Sequence, residues 1–353
     1  MNTLLSLHFF KNWPNRVKKE LVLEQHTAEK NIQSFVKRQI SQSSILKRDW
    51  DLAQEKAQIE LKHAVHEGYS ILPISSPKYP DGLKAVADPP MVLFGRGTWP
   101  TTKSPLAIVG TRKPTGYGRD FCRRLAVELS AYPINFVSGL ALGIDGAMHR
   151  EALDMGATTT AFLAGGLQAI GPKRHTALAQ EMVDEGGGYW TEQPFSQIPF
   201  KQLFPVRNRL IAGASMATFV IEAARKSGAL ITAQQAFDYG RDVYALPGAL
   251  FQPMSAGPNA LIEQCCAQSV TGVSNFSARF NPSWSKNDVV EGSSEDITQR
   301  MLRQFTSGRK LSSLQLRMAL NCSNNLIFSE LNWLVKHGVL EKIGPDKYAR
   351  KTV

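Results

Sequence analysis

Between residues 105 and 275, short β-branched runs alternate with longer stretches of helical spacing, and that alternation leaves few folds open. Leu106-Ala107-Ile108-Val109 reads as a buried strand and 116–131 as a helix; 134–138 and 144–155 repeat the pair. Further strands are expected at 158–163, 217–221 and 242–246, with helices around 172–184, 208–214 and 229–239 between them. Strands spaced by helical crossovers pair in parallel, which predicts an α/β fold with a doubly wound, mostly parallel sheet. Such sheets bind ligands beyond the carboxyl ends of their strands. The loops after each strand are therefore where chemistry is to be sought.

The first of these loops is Gly110-Thr111-Arg112-Lys113-Pro114-Thr115-Gly116-Tyr117-Gly118. A glycine at the strand end lets a ligand approach the backbone, and the following helix N-terminus offers N–H groups to a phosphate. Arg112 and Lys113 add full charges. The run is neither a dinucleotide fingerprint, since Phe121 and Cys122 stand where a third glycine would be needed, nor a P-loop. In the second loop, Asp145 is expected to cap the next helix, with His149 one turn later on the same face. A carboxylate and an imidazole at that spacing suit catalysis or metal binding, but no third ligand is evident. A cap and a packed, hydrogen-bonded histidine are the simpler expectation.

The densest constellation is Lys201-Gln202-Leu203-Phe204-Pro205-Val206-Arg207-Asn208-Arg209. Cations there interleave with an aromatic ring just before a helix. Lys and Arg suit backbone phosphates, and Phe204 suits stacking on an unpaired base.

Charge agrees with an anionic partner. Lys and Arg number 41 against 30 Asp and Glu, a net charge of +11. The excess is spread as +3 over residues 1–68, +4 over 69–284 and +4 over 285–353, so it is not a polybasic tail. The four cysteines (Cys122, Cys265, Cys266, Cys322) form no C-x-x-C pair and read as reduced packing thiols, with no metal site expected. No apolar run approaches the ~18–20 residues of a membrane span, and the N-terminus lacks a basic signal-peptide start, so a cytoplasmic protein without membrane contact is expected.

A length of 353 residues suggests two or three units at about 150 residues each. The expected boundaries are a helical unit at 1–68, the α/β unit at 69–280, a polar linker at 281–295 and a C-terminal unit at 296–353. In the first, helical patterns run over 4–10, 17–25 and 28–40, with a turn at Trp13-Pro14. In the last, three helices beginning near 297, 311 and 324 precede a hairpin at 338–350, the pattern of a winged helix. Its third helix offers Asn324, Asn325 and Lys336, thin equipment for groove reading, so duplex DNA or a protein is an equal expectation for its partner.

The ordered motifs resemble the DNA-processing protein A family, also called DprA or Smf. They are Tyr79-Pro80-Asp81-Gly82-Leu83, Asp88-Pro89-Pro90, Leu93-Phe94-Gly95-Arg96-Gly97, Ile108-Val109-Gly110-Thr111-Arg112 and Ser138-Gly139-Leu140-Ala141 with Gly143-Ile144-Asp145. Phe204-Pro205-Val206-Arg207-Asn208-Arg209, Glu222-Ala223, Ser227-Gly228-Ala229, Gly240-Arg241, Pro247-Gly248 and Gly257-Pro258-Asn259-Ala260-Leu261-Ile262 follow, so the likeness covers roughly 70–265.

The resemblance implies an extended Rossmann-like domain that binds single-stranded DNA rather than a cofactor. It further implies a homodimer that protects incoming strands in natural transformation and loads the RecA recombinase onto them, without catalysis. The DNA-binding residues it implies are Gly110, Thr111, Arg112, Lys173, Lys201, Phe204, Arg207, Asn208 and Arg209. It also implies a small sterile-alpha-motif-like domain at 1–68. Three departures bear on the pocket rim: Leu142 where many members carry a cation, Gly171 where a Tyr usually precedes the Pro, and Cys265-Cys266 where Gly-Ala is usual.

Two other classes stay open. A nucleoside-monophosphate phosphoribohydrolase on a related scaffold would use a Glu such as Glu222, although Ala164-Gly165-Gly166-Leu167 lacks that class's Pro and Thr. A winged-helix transcription factor would centre sequence-specific duplex binding on 290–353.

Overall fold

The chain begins with helices: α1 (Asn2–Phe9), α2 (Asn15–Lys19) running into a π-helical turn (Glu20–Glu24), α3 (Glu29–Ile40) and α4 (Ser44–Glu67). This computed structural model describes residues 1–24, 29–41, 43–168, 170–273, 276–282, 284, 297–305, 310–320 and 324–351. The first three helices match the expected patterns; α4, the longest at 24 residues, does not figure in them. Its buried residues are only Trp50, Ala53, Ala57 and Glu60, a stripe too narrow and too small in side chain to stand out as periodicity. It is bounded by local chemistry: Ser43 Oγ accepts from the Leu46 N–H at 3.4 Å, and Gly68 ends it at φ +66°.

The α/β region follows as β1 (Ser70–Pro73), α5 (Asp81–Ala85), β2 (Val92–Gly97), β3 (Ser104–Val109), α6 (Gly116–Leu129), β4 (Ile134–Ser138), α7 (Ile144–Asp154) and β5 (Thr158–Phe162). A 3-10 turn (Lys173–His175) then leads into α8 (Thr176–Asp184), β6 (Gly188–Thr191), α9 (Leu203–Ala214), β7 (Ala217–Val220), α10 (Gly228–Asp238), β8 (Asp242–Ala245), α11 (Ala256–Glu263), β9 (Gln268–Ser269) and α12 (Phe276–Phe280). Every strand read from the alternation is present, with bounds that agree within two residues. Four were not read: β1, β2, β6 and β9. The glycines explain two of them. β6 follows a Gly186-Gly187-Gly188 run that reads as a turn, and β2 carries Gly95, where an added Cβ would lie 2.3 Å from the Trp190 ring. Helix α9 starts five residues earlier than expected, because Pro205 sits in its first turn, where no N–H partner is needed.

The nine strands form one sheet in the order β1-β2-β6-β5-β4-β3-β7-β8-β9. From β6 to β9 all neighbours run parallel, and β2 and β1 add an antiparallel edge. The chain lays down β3, proceeds outward through β4 and β5 to β6, and returns to place β7 on the other side of β3, with Val109 opposite Val220. The loops after β3 and β7 thus face one another where strand order reverses, the place where an open α/β sheet leaves a crevice.

Both sheet faces are covered, as a parallel sheet requires. On β3, Ala107 and Val109 join a core with α9 and α10, while Leu106 and Ile108 join one with α6 and α7. The N-terminal helices are part of the first core, through Leu4, Leu7, Phe10 and Trp50 packed with Tyr79, Leu83 and Leu210. Near the C-terminus, α13 (Ile297–Gln304), α14 (Ser313–Leu320) and α15 (Asn324–Lys336) precede an antiparallel hairpin of β10 (Leu340–Gly344) and β11 (Lys347–Arg350). These elements share a core of their own, including Met301, Phe305, Leu331 and Tyr348. Arg123 on α6 reaches Glu330 on α15 at 3.4 Å. Most of the expected linker, residues 283 and 285–295, lies outside the described residues, as do Cys322 and the side chains of Asn324 and Asn325. Cys122 is a packed thiol; Cys265 is exposed at φ +57°, against the expectation of packing.

Candidate nucleic-acid interface

Strand β3 ends at Val109, and the chain leaves the sheet edge through Gly110 to Thr115 before entering α6. Two carbonyl contacts stitch this loop down: the Thr111 N–H donates to the Glu222 carbonyl at 2.6 Å, and the Ile144 N–H donates to the Thr111 carbonyl at 3.1 Å. Arg112 and Lys113 are left exposed between those anchors.

Arg112 meets α9. Its guanidinium carbon lies 5.2 Å from the centre of the Phe204 ring, and that of Arg207 lies 5.9 Å from the same ring. Both guanidinium groups are thus within cation–π range of the one ring. Phe204 is half-buried; Lys201, in the turn before α9, is exposed. Lys173 is exposed in the 3-10 turn after β5. The residues brought into contact are thus Arg112, Phe204 and Arg207.

The other members of the motif face inward. Arg207 is 5% exposed; it donates to the Gly139 carbonyl at 2.8 Å and to the Phe162 carbonyl, and to Asn208 Oδ1 at 3.2 Å. Burial pushes its pKa down to about 10, against the pull of the nearby Asp145 carboxylate, so it stays charged at neutral pH. The Asn208 amide donates to the Gly228 carbonyl at 3.1 Å, tying α9 to the start of α10. Arg209 is ion-paired with Glu192 and lies 3.7 Å from Asp88. Three cationic or amide side chains in one turn of sequence therefore build the protein rather than its rim. The family resemblance implies a ligand role for them, and the sequence does not separate the two readings because a helix start hides which side of the axis each residue takes.

Asp145 and His149 also resolve. Asp145 lies inside α7 and accepts from the N–H groups of Gly139 and Ala141 at 3.1 and 3.4 Å, so it clasps the preceding loop rather than capping its own helix. Burial raises its pKa, opposed by Arg207. His149 is fully buried with Nδ1 2.6 Å from Thr159 Oγ1, and desolvation pushes its pKa down to about 3. Among the described residues no three His, Cys, Asp or Glu gather to hold a metal, and no helix is long and apolar enough to cross a membrane.

Glu222, at the end of β7, has an unanticipated place. It is 2% exposed, and its carboxylate accepts from the Thr115 N–H at 2.9 Å and the Thr115 hydroxyl at 2.6 Å. A Cβ on Gly118, in the first turn of α6, would lie 2.5 Å from Glu222 Oε2. The N-terminus of α6, which the sequence suggested for a phosphate, thus holds the protein's own carboxylate. The acidic residue lies more than a hundred positions from the loop it fills, which is why no local motif revealed it.

With this geometry the relationships to known proteins are informative. The model of the family described as DNA recombination-mediator protein A matches residues 70–281, the whole sheet with its crevice. The chain belongs to that family. It is 42% identical over 200 residues to the DNA processing protein DprA of Bacillus subtilis (strain 168), covering 56% of this chain and 67% of that one. To Protein Smf of Escherichia coli (strain K12) it is 40% identical over 197 residues, covering 56% of this chain and 53% of that one. The matched stretch therefore spans about two thirds of the first relative and half of the second. Among solved structures, DNA processing protein A from Streptococcus pneumoniae superposes with a TM-score of 0.66 at 28% identity, covering 80% of this chain and 98% of that one. DNA processing protein A from Helicobacter pylori, studied for its single-stranded DNA binding mode, does so with a TM-score of 0.55 at 29% identity, covering 62% of this chain and 97% of that one. The family relationship and the extended Rossmann-like fold agree.

Proposed function

We propose that this protein is a non-catalytic recombination mediator that holds single-stranded DNA without sequence preference at the crevice between β3, β7 and the start of α9. It would protect incoming strands in natural transformation and load RecA onto them, acting as a homodimer. The observation that carries this reading is the exposed Arg112 guanidinium stacked 5.2 Å from Phe204, a cation and a π-face offered together. An unpaired base supplies a ring for Phe204, and its phosphate supplies a charge for Arg112 and Lys201. Lys173, exposed in the 3-10 turn after β5, would extend the basic rim. Gly110 and Thr111 set the loop, and Arg207, Asn208 and Arg209 hold α9 and Phe204 in place rather than touching the strand. The winged-helix unit at 296–353 would add a contact to duplex DNA or to protein.

The phosphoribohydrolase reading needs Glu222 turned toward a substrate, and here both of its oxygens are engaged by Thr115. The test of the main reading is whether the purified protein lets RecA displace single-strand-binding protein from DNA. The native protein is expected to support exchange and Arg112→Ala to fail. Equal exchange with and without the native protein would refute the loading role, and release of free base from nucleoside monophosphates, abolished by Glu222→Gln, would favour the enzyme.

A further inference from the structure

An open α/β sheet of this winding has one favoured seat for a free anion, the N-terminus of the helix after its first strand, at the reversal of strand order. In this protein that helix is α6, and the seat lies between the loops after β3 and β7. The donors of Thr115, the residue that precedes this helix, are directed at Glu222. The Thr115 N–H and hydroxyl donate to its two oxygens, and Gly118, whose lack of a side chain would admit a phosphate oxygen, instead admits Glu222 Oε2. The positive end of the helix dipole compensates a carboxylate that is almost fully buried. Tyr117 spans the same end of α6, its hydroxyl donating to the Pro247 carbonyl at 2.9 Å; burial and the proximity of Glu222 both raise its pKa.

We propose that Glu222 is a specificity-determining residue: a built-in anion that occupies the fold's phosphate seat and so excludes free phosphate and mononucleotides from the crevice. Its backbone carbonyl holds Thr111 and its carboxylate holds Thr115, so one residue pins both ends of the loop that carries Arg112. The seat denied to an outside anion is replaced by anchoring points on the rim of the crevice, at Arg112, Phe204 and Lys201. A polymer that spans several such side chains can use them; a single nucleotide, denied the seat, cannot. The benefit of this exclusion rests on the single-strand reading, but its test does not involve a strand, so either can fail without the other.

The experiment follows thermal unfolding of the native protein, Glu222→Gln and Glu222→Ala in inorganic phosphate, against sodium chloride of equal ionic strength. A 5′-nucleoside monophosphate titration of the native protein runs alongside. Native protein and Glu222→Gln, whose seats are filled, are expected to show no phosphate-specific stabilisation. Glu222→Ala, with the seat vacated, is expected to be stabilised in a saturable way, by roughly tenfold in its folding equilibrium constant once phosphate is about ten times its dissociation constant. Recovery of Glu222→Ala in phosphate buffer but not in chloride would equally support the assignment. Saturable binding of phosphate or of the monophosphate by the native protein would overturn it. So would indifference of Glu222→Ala to phosphate, or failure of that variant to fold in either buffer, because a seat that phosphate cannot refill is not a phosphate seat.

Discussion

The same stretch of sequence supplies two opposite uses of positive charge. Lys201, with Arg112 from across the crevice, stands exposed at the sheet edge, whereas Arg207 and Arg209, six and eight residues further along, are enclosed. Arg207 satisfies carbonyls from two strand-end loops and balances Asp145. Arg209 joins Glu192 and Asp88 beneath the N-terminal helices, where His8 Nε2 lies 2.9 Å from the Glu192 carbonyl. Phe204 sits at the border, within cation–π range of both the buried and the exposed guanidinium. A cation count cannot distinguish a ligand contact from a structural strut; helix phase and the location of acceptors do.

The difference should appear most strongly as a separation of stability from binding. Arg207→Ala leaves buried carbonyls and the Asp145 carboxylate without their partner and is expected to cost about 3–5 kcal/mol of stability in urea unfolding. Arg207→Lys should recover little of it, because an ammonium cannot serve the same fork of acceptors. A loss under about 1 kcal/mol would move Arg207 to the rim.

Phe204→Ala is expected to weaken binding to single strands by about 1–3 kcal/mol per base engaged, with equal effect on strands of different sequence. Competition titrations with homopolymer strands check this; an effect on one sequence only would replace stacking by base reading.

The enclosed side also has a pH signature that the rim lacks. His149 titrates near 3 in the folded protein and near 6.5 when unfolded, so between those values the unfolded chain binds more protons. Stability should therefore fall as pH is lowered from about 6.5 toward 3, by at most about 1.4 kcal/mol per pH unit from this residue. Replacing it by Gln should flatten the slope measured by denaturant titration at several pH values, and an unchanged slope would remove His149 from the account.

The smallest effect belongs to Lys201→Ala. Stability should change within about 0.5 kcal/mol, and the dependence of log affinity on log salt should shrink by about 0.7, the share of a single neutralised phosphate. An unaltered salt slope would mean that Lys201 touches no phosphate.

What the sequence made legible divides along the same line. The parallel strands β3, β4, β5, β7 and β8 are legible because burial on both faces favours short runs rich in β-branched and apolar residues. The antiparallel edge did not, since β2 and β6 carry glycines that serve a close approach, Gly95 against Trp190, and so look like turns. Helix α4 was missed because it buries one thin stripe. At the site, exposed Arg112 and Phe204 were legible as residue types in a strand-end loop and a helix start. The inward turn of Arg207 and the lodging of Glu222 at α6 depend on long-range partners at 139, 162 and 115, which no local pattern encodes.

Whether Arg112 and Phe204 together grip a single strand is read from anisotropy titration of a labelled single strand over a range of salt. Arg112→Ala and Phe204→Ala are each expected to lower affinity severalfold or more. The salt slope is expected to shrink for Arg112→Ala and to stay the same for Phe204→Ala, with both proteins as stable as the native one to within about 1 kcal/mol. Affinity unchanged in both variants at low and moderate salt would contradict that grip.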